Sequence, residues 1–231
     1  MKNRAKGAWR IHIPDGLMDP TIWIAGWIIV IPLIGLALHR IGNRLDERTM
    51  PLMAVLAAGI FVAQMLNFPI GGGTTGHLIG AALAVFLLGP WAAMLIMTVI
   101  LVIQALVFGD GGLTALGLNI LNMAVVAPLA TWMVLKVFGE RNRIAAVPVA
   151  AWVSVFLSAM VVAAELALSF SLSGGAYGIT GLLAFPTMAA FHVVIGIGEA
   201  IITTGVVLFL SKVSPEMLTI HKRMAEKPAE A

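Results

Sequence analysis

The sequence has no cysteine, one tyrosine and few charges: Asp, Glu, Lys and Arg make up 11% of its 231 residues. Without cysteine there is no disulfide, no thiolate metal site and no thiol nucleophile. A soluble domain carries about 25% charged residues, so the chain is not an ordinary soluble enzyme. A hydrophobic content of 60% excludes disorder. The chain has no G-x-x-x-x-G-K-[ST] loop and so binds no ATP in the P-loop manner. H-E-x-x-H and G-x-S-x-G are missing as well. No internal repeat is evident, which weighs against an inverted-repeat secondary transporter.

Apolar runs are abundant. They lie near 20–38, 51–67, 77–88, 91–108, 114–138, 147–171 and 185–211. A crossing takes about 20 residues, so the expected architecture is all-α and integral to the membrane. It is a bundle of seven transmembrane helices, the short third one parted from the fourth by Gly89-Pro90. Charge decides whether 77–108 is one helix or two. The interior basic clusters are Arg40, Arg44 and Arg48, then Lys136, Arg141 and Arg143, then Lys212, Lys222, Arg223 and Lys227. The connections 68–76, 109–113 and 172–184 hold no Lys or Arg. The positive-inside rule places the basic clusters in the cytoplasm. Even numbers of spans separate them only if 77–108 is split. The N-terminus is then outside, the C-terminus is cytoplasmic, and 213–231 form a cytoplasmic tail of a multi-pass plasma-membrane protein. Lys2, Arg4, Lys6 and Arg10 oppose this rule. Residues 1–10 are therefore read as an atypical extension, either a tolerated exception or absent from the mature chain.

The outer connections NFPIGGGTTGH (67–77), FGDGG (108–112) and SLSGGAYGITG (171–181) are rich in glycine, and IHIPDG (11–16) falls on the same side. Non-helical backbone near a membrane survives where protein or a water-filled cavity covers it. Each loop alone reads as a flexible turn; four on one face point to a binding pocket. Of five histidines, His39 and His221 fall among cytoplasmic charges, and His192 lies in the last span. His12 and His77 are on the outer side. Imidazole suits Zn, Cu, Ni and Co. A lone membrane histidine is more often a packing residue, but two brought from separate segments point to a metal. Gln104, Asp110, Asn119, Asn122, Glu165 and Glu199 are polar groups at membrane depth, each costly to place there. Interhelical hydrogen bonding is the plainer role for Gln104 and Glu165.

Four stretches, IHIPDG (11–16), GTTGHLIGA (73–81), QALVFGDGGLTALGLNILNM (104–123) and HVVIGIGEAIIT (192–203), carry a resemblance that runs over 11–212. They resemble the substrate-capture membrane subunit of energy-coupling factor transporters for cobalt and nickel, the CbiM/NikM family. The resemblance implies seven transmembrane helices, an extracellular N-terminus and one Co²⁺ or Ni²⁺ ion as transported substrate. The implied partners are a transmembrane coupling subunit, cytoplasmic ATPase subunits and a small accessory membrane subunit. The chain itself would be non-catalytic and bind neither ATP nor nucleic acid. Imported cobalt would feed cobalamin synthesis.

The family's metal sits in near-square-planar nitrogen geometry, which suits Ni(II) and Cu(II). Its ligands are a terminal amine, the backbone nitrogen and ring of the next histidine, and the histidine of Gly-Thr-x-Gly-His. The last three map onto the His12 nitrogen, the His12 ring and His77. Asp15, Asn67, Asp110, Asn119 and Asn122 are expected to line or brace this pocket. One departure stands out: Ile11 occupies the place of the family's initiator Met. Initiation at Ile11, cleavage of the preceding tail and a substitute ligand are the open explanations. Other readings are a vitamin-type capture subunit, a membrane metalloenzyme using Glu165 and Glu199, and a structural subunit.

Overall fold

The computed structural model describes residues 12–42, 47, 49–66, 68–71 and 74–222. Expectations for Asn67, Ile11 and residues 1–10 lie outside them. Asp19 opens the first helix: its carboxylate accepts the Thr21 N–H at 2.9 Å, and Pro20 sits where a missing N–H costs nothing. The helices are α1 (Pro20–Ile41), α2 (Thr49–Met65), α3 (Ala81–Leu88), α4 (Pro90–Phe108), α5 (Leu116–Phe138), α6 (Arg143–Leu172) and α7 (Gly181–Val213). The all-α expectation needs one amendment. Between α2 and α3, strands β1 (Phe68–Gly71) and β2 (Thr74–Gly76) pair antiparallel, Phe68 opposite Gly76. The described parts of the Gly-rich loop are thus a pair of strands.

Five helices, α1 and α4 to α7, are long and apolar enough to cross a membrane. The hydrophobic surface suits lipid: Leu182 and Val137 are 87% and 84% exposed, as a chain solvated by hydrocarbon allows. The third span, expected over 77–88, is helical only from Ala81. Its eight residues cover about 12 Å, against a hydrocarbon core of about 30 Å. Residues 77–80 run into it without helical structure. Gly89, at φ 85° and ψ 171°, breaks the chain before Pro90 starts α4, so 77–108 is two helices. Pro128 has a visible effect one turn back. Its ring excludes the regular contact with residue 124, and Leu121–Val126 widen into a π-turn.

α3 is the hub of the core. All its residues but Leu83 are buried, packed with Ile96, Met97 and Ile100 of α4, Met123 of α5 and Val155 of α6. Its ends are held by charges from other helices. At the start, the Glu199 carboxylate of α7 accepts the Ile79 and Gly80 N–H groups, both at 2.7 Å. At the finish, the Arg143 guanidinium donates to the Phe86 carbonyl at 3.1 Å. Negative charge at a helix start and positive charge at its end both complement the helix dipole. Arg143 in turn pairs with Glu140 at 3.1 Å, and Glu140 with Lys222 at 3.0 Å. Arg40 lies over the Trp91 ring at 5.3 Å. The described basic residues thus gather at the end of the bundle opposite His12.

Candidate metal centre

Residues 12–19 lie across one end of the bundle, fastened on two sides. Asn119, one turn into α5, embraces one residue: its Oδ1 accepts the Ile13 N–H at 2.8 Å and its Nδ2 donates to the Ile13 carbonyl at 3.1 Å. The Gly112 N–H donates to the same carbonyl at 2.9 Å. Asp15 reaches the amides that precede α5. It accepts the Leu113 N–H at 2.9 Å, the Thr114 N–H at 2.8 Å and the Thr114 hydroxyl at 2.5 Å. On the other side, the Gly178 N–H donates to the Leu17 carbonyl at 2.8 Å, and the Asp19 N–H to Ser169 Oγ at 2.8 Å. Ile13, Leu17, Met18 and Ile22 bury themselves against Leu118, Val162, Leu166 and Met188.

Glycine makes this approach possible. A Cβ on Gly112 would collide with the Asp15 backbone nitrogen and carboxylate. A Cβ on Gly111, whose φ is 93°, would lie 3.0 Å from Asn119 Nδ2 and 3.4 Å from His12 Nδ1. The FGDGG loop is thus shaped to touch the segment that carries His12.

Burial pushes the Asp15 carboxyl upward, but the Thr114 hydroxyl and then the amides of residues 113–115 outweigh it, leaving it below its ordinary 3.8. A carboxylate depressed in the folded state stabilises that state above its unfolded value and less as pH falls through its folded value. Asp15 is therefore expected to hold the segment fully above pH 3.8 and to release it progressively below. Amide hydrogen exchange at Ile13 and Gly112, corrected for intrinsic rates, should lose protection in that range. Asp15→Asn should show low protection at every pH.

The His12 and His77 rings meet at the centre, their centroids 4.8 Å apart and their planes at 68°. They are 4% and 8% exposed. With metal–nitrogen bonds of about 2.0–2.1 Å, two imidazoles at right angles on one ion have centroids roughly 4.5 Å apart. The spacing fits neighbouring ligands of one ion. His77 Nδ1 lies 2.9 Å from the Leu78 carbonyl oxygen. A carbonyl only accepts, so Nδ1 carries the proton and Nε2 presents its lone pair. Among the described residues, no cluster of three or more His, Asp or Glu surrounds the pair.

A family profile described as a cobalt uptake substrate-specific transmembrane region, CbiM, matches residues 12–217. The chain belongs to the CbiM family. It is similar to the fused nickel transport protein NikMN of Rhodobacter capsulatus, 37% identical over 230 residues, with 93% of this chain and 66% of that protein covered. A crystal structure of a transition metal transporter matches with TM-score 0.82 and 37% identity, covering 91% of this chain and 96% of that one. The S component of a bacterial ECF transporter shares the fold at TM-score 0.54 and 19% identity, over 73% and 98% of the two chains.

In this CbiM-family chain the five pocket residues expected from the sequence have different fates. Asp15 and Asn119 hold the His12 segment, as described above. Asp110 lies in the loop, and among the described residues it holds the loop through its backbone, its N–H donating to the Gln104 carbonyl at 3.0 Å. Asn122 faces deeper: its Nδ2 donates to Glu165 Oε2 at 2.8 Å, and its carbonyl accepts from Ser158 Oγ at 2.9 Å. Asn67 is outside the described residues. His192 is buried within electrostatic reach of His77, and its Nδ1 lies 2.8 Å from the Met188 carbonyl. Glu199, the other acid/base candidate of the metalloenzyme reading, turns both oxygens to backbone N–H groups.

Sequence reasoning missed Gln64, Thr114 and Ser169. Gln64 donates to the Ile79 carbonyl at 2.6 Å and accepts from Gln104 Nε2 at 2.7 Å. Its signal was available: an amide in an otherwise apolar helix needs a partner. Thr114 and Ser169 give no such signal, because a hydroxyl near a helix end is usually satisfied locally.

Proposed function

We propose that the chain is the substrate-capture subunit of an energy-coupling factor importer and takes Co²⁺ or Ni²⁺ from outside the cell. The observation that carries this reading is the meeting of His12 and His77, from separate segments, at neighbouring-ligand distance in a fastened, buried pocket. The ion is the transported substrate. Its proposed ligands are the His12 backbone nitrogen and ring, His77 Nε2 and a nitrogen preceding His12. Co²⁺ would serve cobalamin synthesis, and Ni²⁺ nickel enzymes.

The proposed topology has seven crossings, N-terminus outside and C-terminus cytoplasmic. The crossing before α4 consists of the non-helical 77–80 plus α3. Residues 11–212 form the capture domain, 1–10 an extension and 213–231 a cytoplasmic tail. A coupling subunit, ATPase subunits and a small accessory membrane subunit supply the energy and the inward release; this chain hydrolyses nothing.

The test is equilibrium dialysis of purified, chelator-stripped protein against Ni²⁺ and Co²⁺, for the full chain and for a shortened chain beginning Met-His12. The expected result is one ion per chain, held more tightly by the shortened form. Failure of both forms to bind either ion would overturn the proposal.

A further inference from the structure

The segment 77–80 is backbone without helical structure, buried among helices, and each of its polar groups needs a partner. Two helices supply partners for three of them, and a third helix braces one of those partners. Gln64 of α2 donates to the Ile79 carbonyl and is itself held by Gln104 of α4. Glu199 of α7 accepts the N–H groups of Ile79 and Gly80. Gln64, Gln104 and Glu199 are all at most 1% exposed.

One peptide group joins this clamp to the metal site. The Leu78 carbonyl and the Ile79 N–H belong to the same amide plane. The Ile79 N–H donates to Glu199 Oε2 at 2.7 Å, and the Leu78 carbonyl accepts from His77 Nδ1 at 2.9 Å. Glu199, the Leu78–Ile79 peptide and His77 thus form a chain of hydrogen bonds ending on the imidazole. Such chains polarise one another at low dielectric. A carboxylate bonded to the N–H side enriches the carbonyl oxygen, which then holds the Nδ1 proton more strongly. Nε2 becomes a better donor to a metal. Metal-bound histidines are commonly tuned by a carboxylate or a carbonyl on the other ring nitrogen; here a carboxylate acts through a carbonyl.

We propose that Glu199 is a positioning and tuning residue for His77, acting through the Leu78–Ile79 peptide to fix the ring's tautomer and strengthen Nε2 as a ligand. Glu199 does not touch the ion. Gln64 holds the other face of Ile79, outside this chain of bonds, and serves as the internal contrast. The inference rests on the proposed metal site.

The experiment compares wild type, Glu199→Gln, Gln64→Leu and His77→Ala as full chains purified in detergent. Each is melted without metal, titrated with Ni²⁺, and examined by visible absorption of the bound ion. Glu199→Gln keeps the shape, removes the charge and leaves one of the two backbone N–H groups facing an amide donor. It is expected to weaken Ni²⁺ binding about 10- to 100-fold and to shift the ligand-field band of the ion still bound. Gln64→Leu is expected to lower the melting temperature and leave the band in place. Affinity and band unchanged in Glu199→Gln, with His77→Ala defective, would overturn the role of Glu199 and leave the metal site standing. A band shifted equally in both variants would also overturn it, since general loosening would then account for the effect. Absence of Ni²⁺ binding by the wild type would instead sink the metal site itself.

Discussion

His77→Ala is expected to weaken Ni²⁺ and Co²⁺ binding by more than about 100-fold, beyond the roughly 10- to 100-fold typical of losing only a ligand's supporting partner. His77 brings its ring to His12 from another segment, and among the described residues no cluster of three or more His, Asp or Glu stands ready to replace it. The substitution should leave α3 in place, because Glu199 and Gln64 grip Ile79 and Gly80 by backbone rather than by His77. Isothermal titration with both ions measures the loss, and the metal-free melting curve checks that the bundle persists. His192→Ala is the control. His192 is buried nearby but satisfied at Nδ1 by its own helix, so its removal should cost far less affinity. Equal losses in the two variants would place the ion elsewhere.

Asn119→Ala carries the second large effect. The amide contributes one acceptor and one donor to Ile13, which is 1% exposed. Without it the Ile13 N–H is stranded in a buried site, while the carbonyl keeps the Gly112 N–H. A buried group without its partner costs about 1–3 kcal/mol. That cost falls on docking of the His12 segment, since Asn119 makes these bonds to that segment and not between helices. Metal affinity should therefore drop roughly 5- to 150-fold, the factor that corresponds to this energy. Hydrogen exchange should report faster opening at Ile13 and Gly112, with α6 and α7 unaffected. A large fall in overall melting temperature with unchanged affinity would show that Asn119 braces the bundle instead.

These expectations show where the sequence was readable. The helices that span at full length announced themselves by apolar length alone, and Gly89-Pro90 marked the break before α4. His12 and His77 were legible as a pair because the charge pattern put both on one side. The third span was harder. The apolar run 77–88 contains Leu78 and Ile79, and hydropathy does not distinguish non-helical backbone from helix. The partners of those residues are Gln64, itself held by Gln104, and Glu199, which lie up to 120 residues away in sequence. Asn119 and Asn122 pose the same problem at shorter range. Three residues apart on one helix, they look equivalent, yet one meets the Ile13 backbone and the other meets Glu165. The π-turn from Leu121 contributes to that divergence, and only Pro128 hinted at it.

The grip of Glu199 on the start of α3 also has a consequence for biosynthesis. Gly80 leaves the ribosome 119 residues ahead of its partner. At about 5–20 residues per second, that is a wait of roughly 6–24 seconds. Throughout it the 77–80 backbone lacks the acceptor that α7 later provides, and bare amides are poorly tolerated in lipid. The strand pair and α3 must shelter in the translocon or in water until α7 is inserted. The His77 half of the site is therefore among the last parts of the protein to mature, although it is encoded in the first half of the chain.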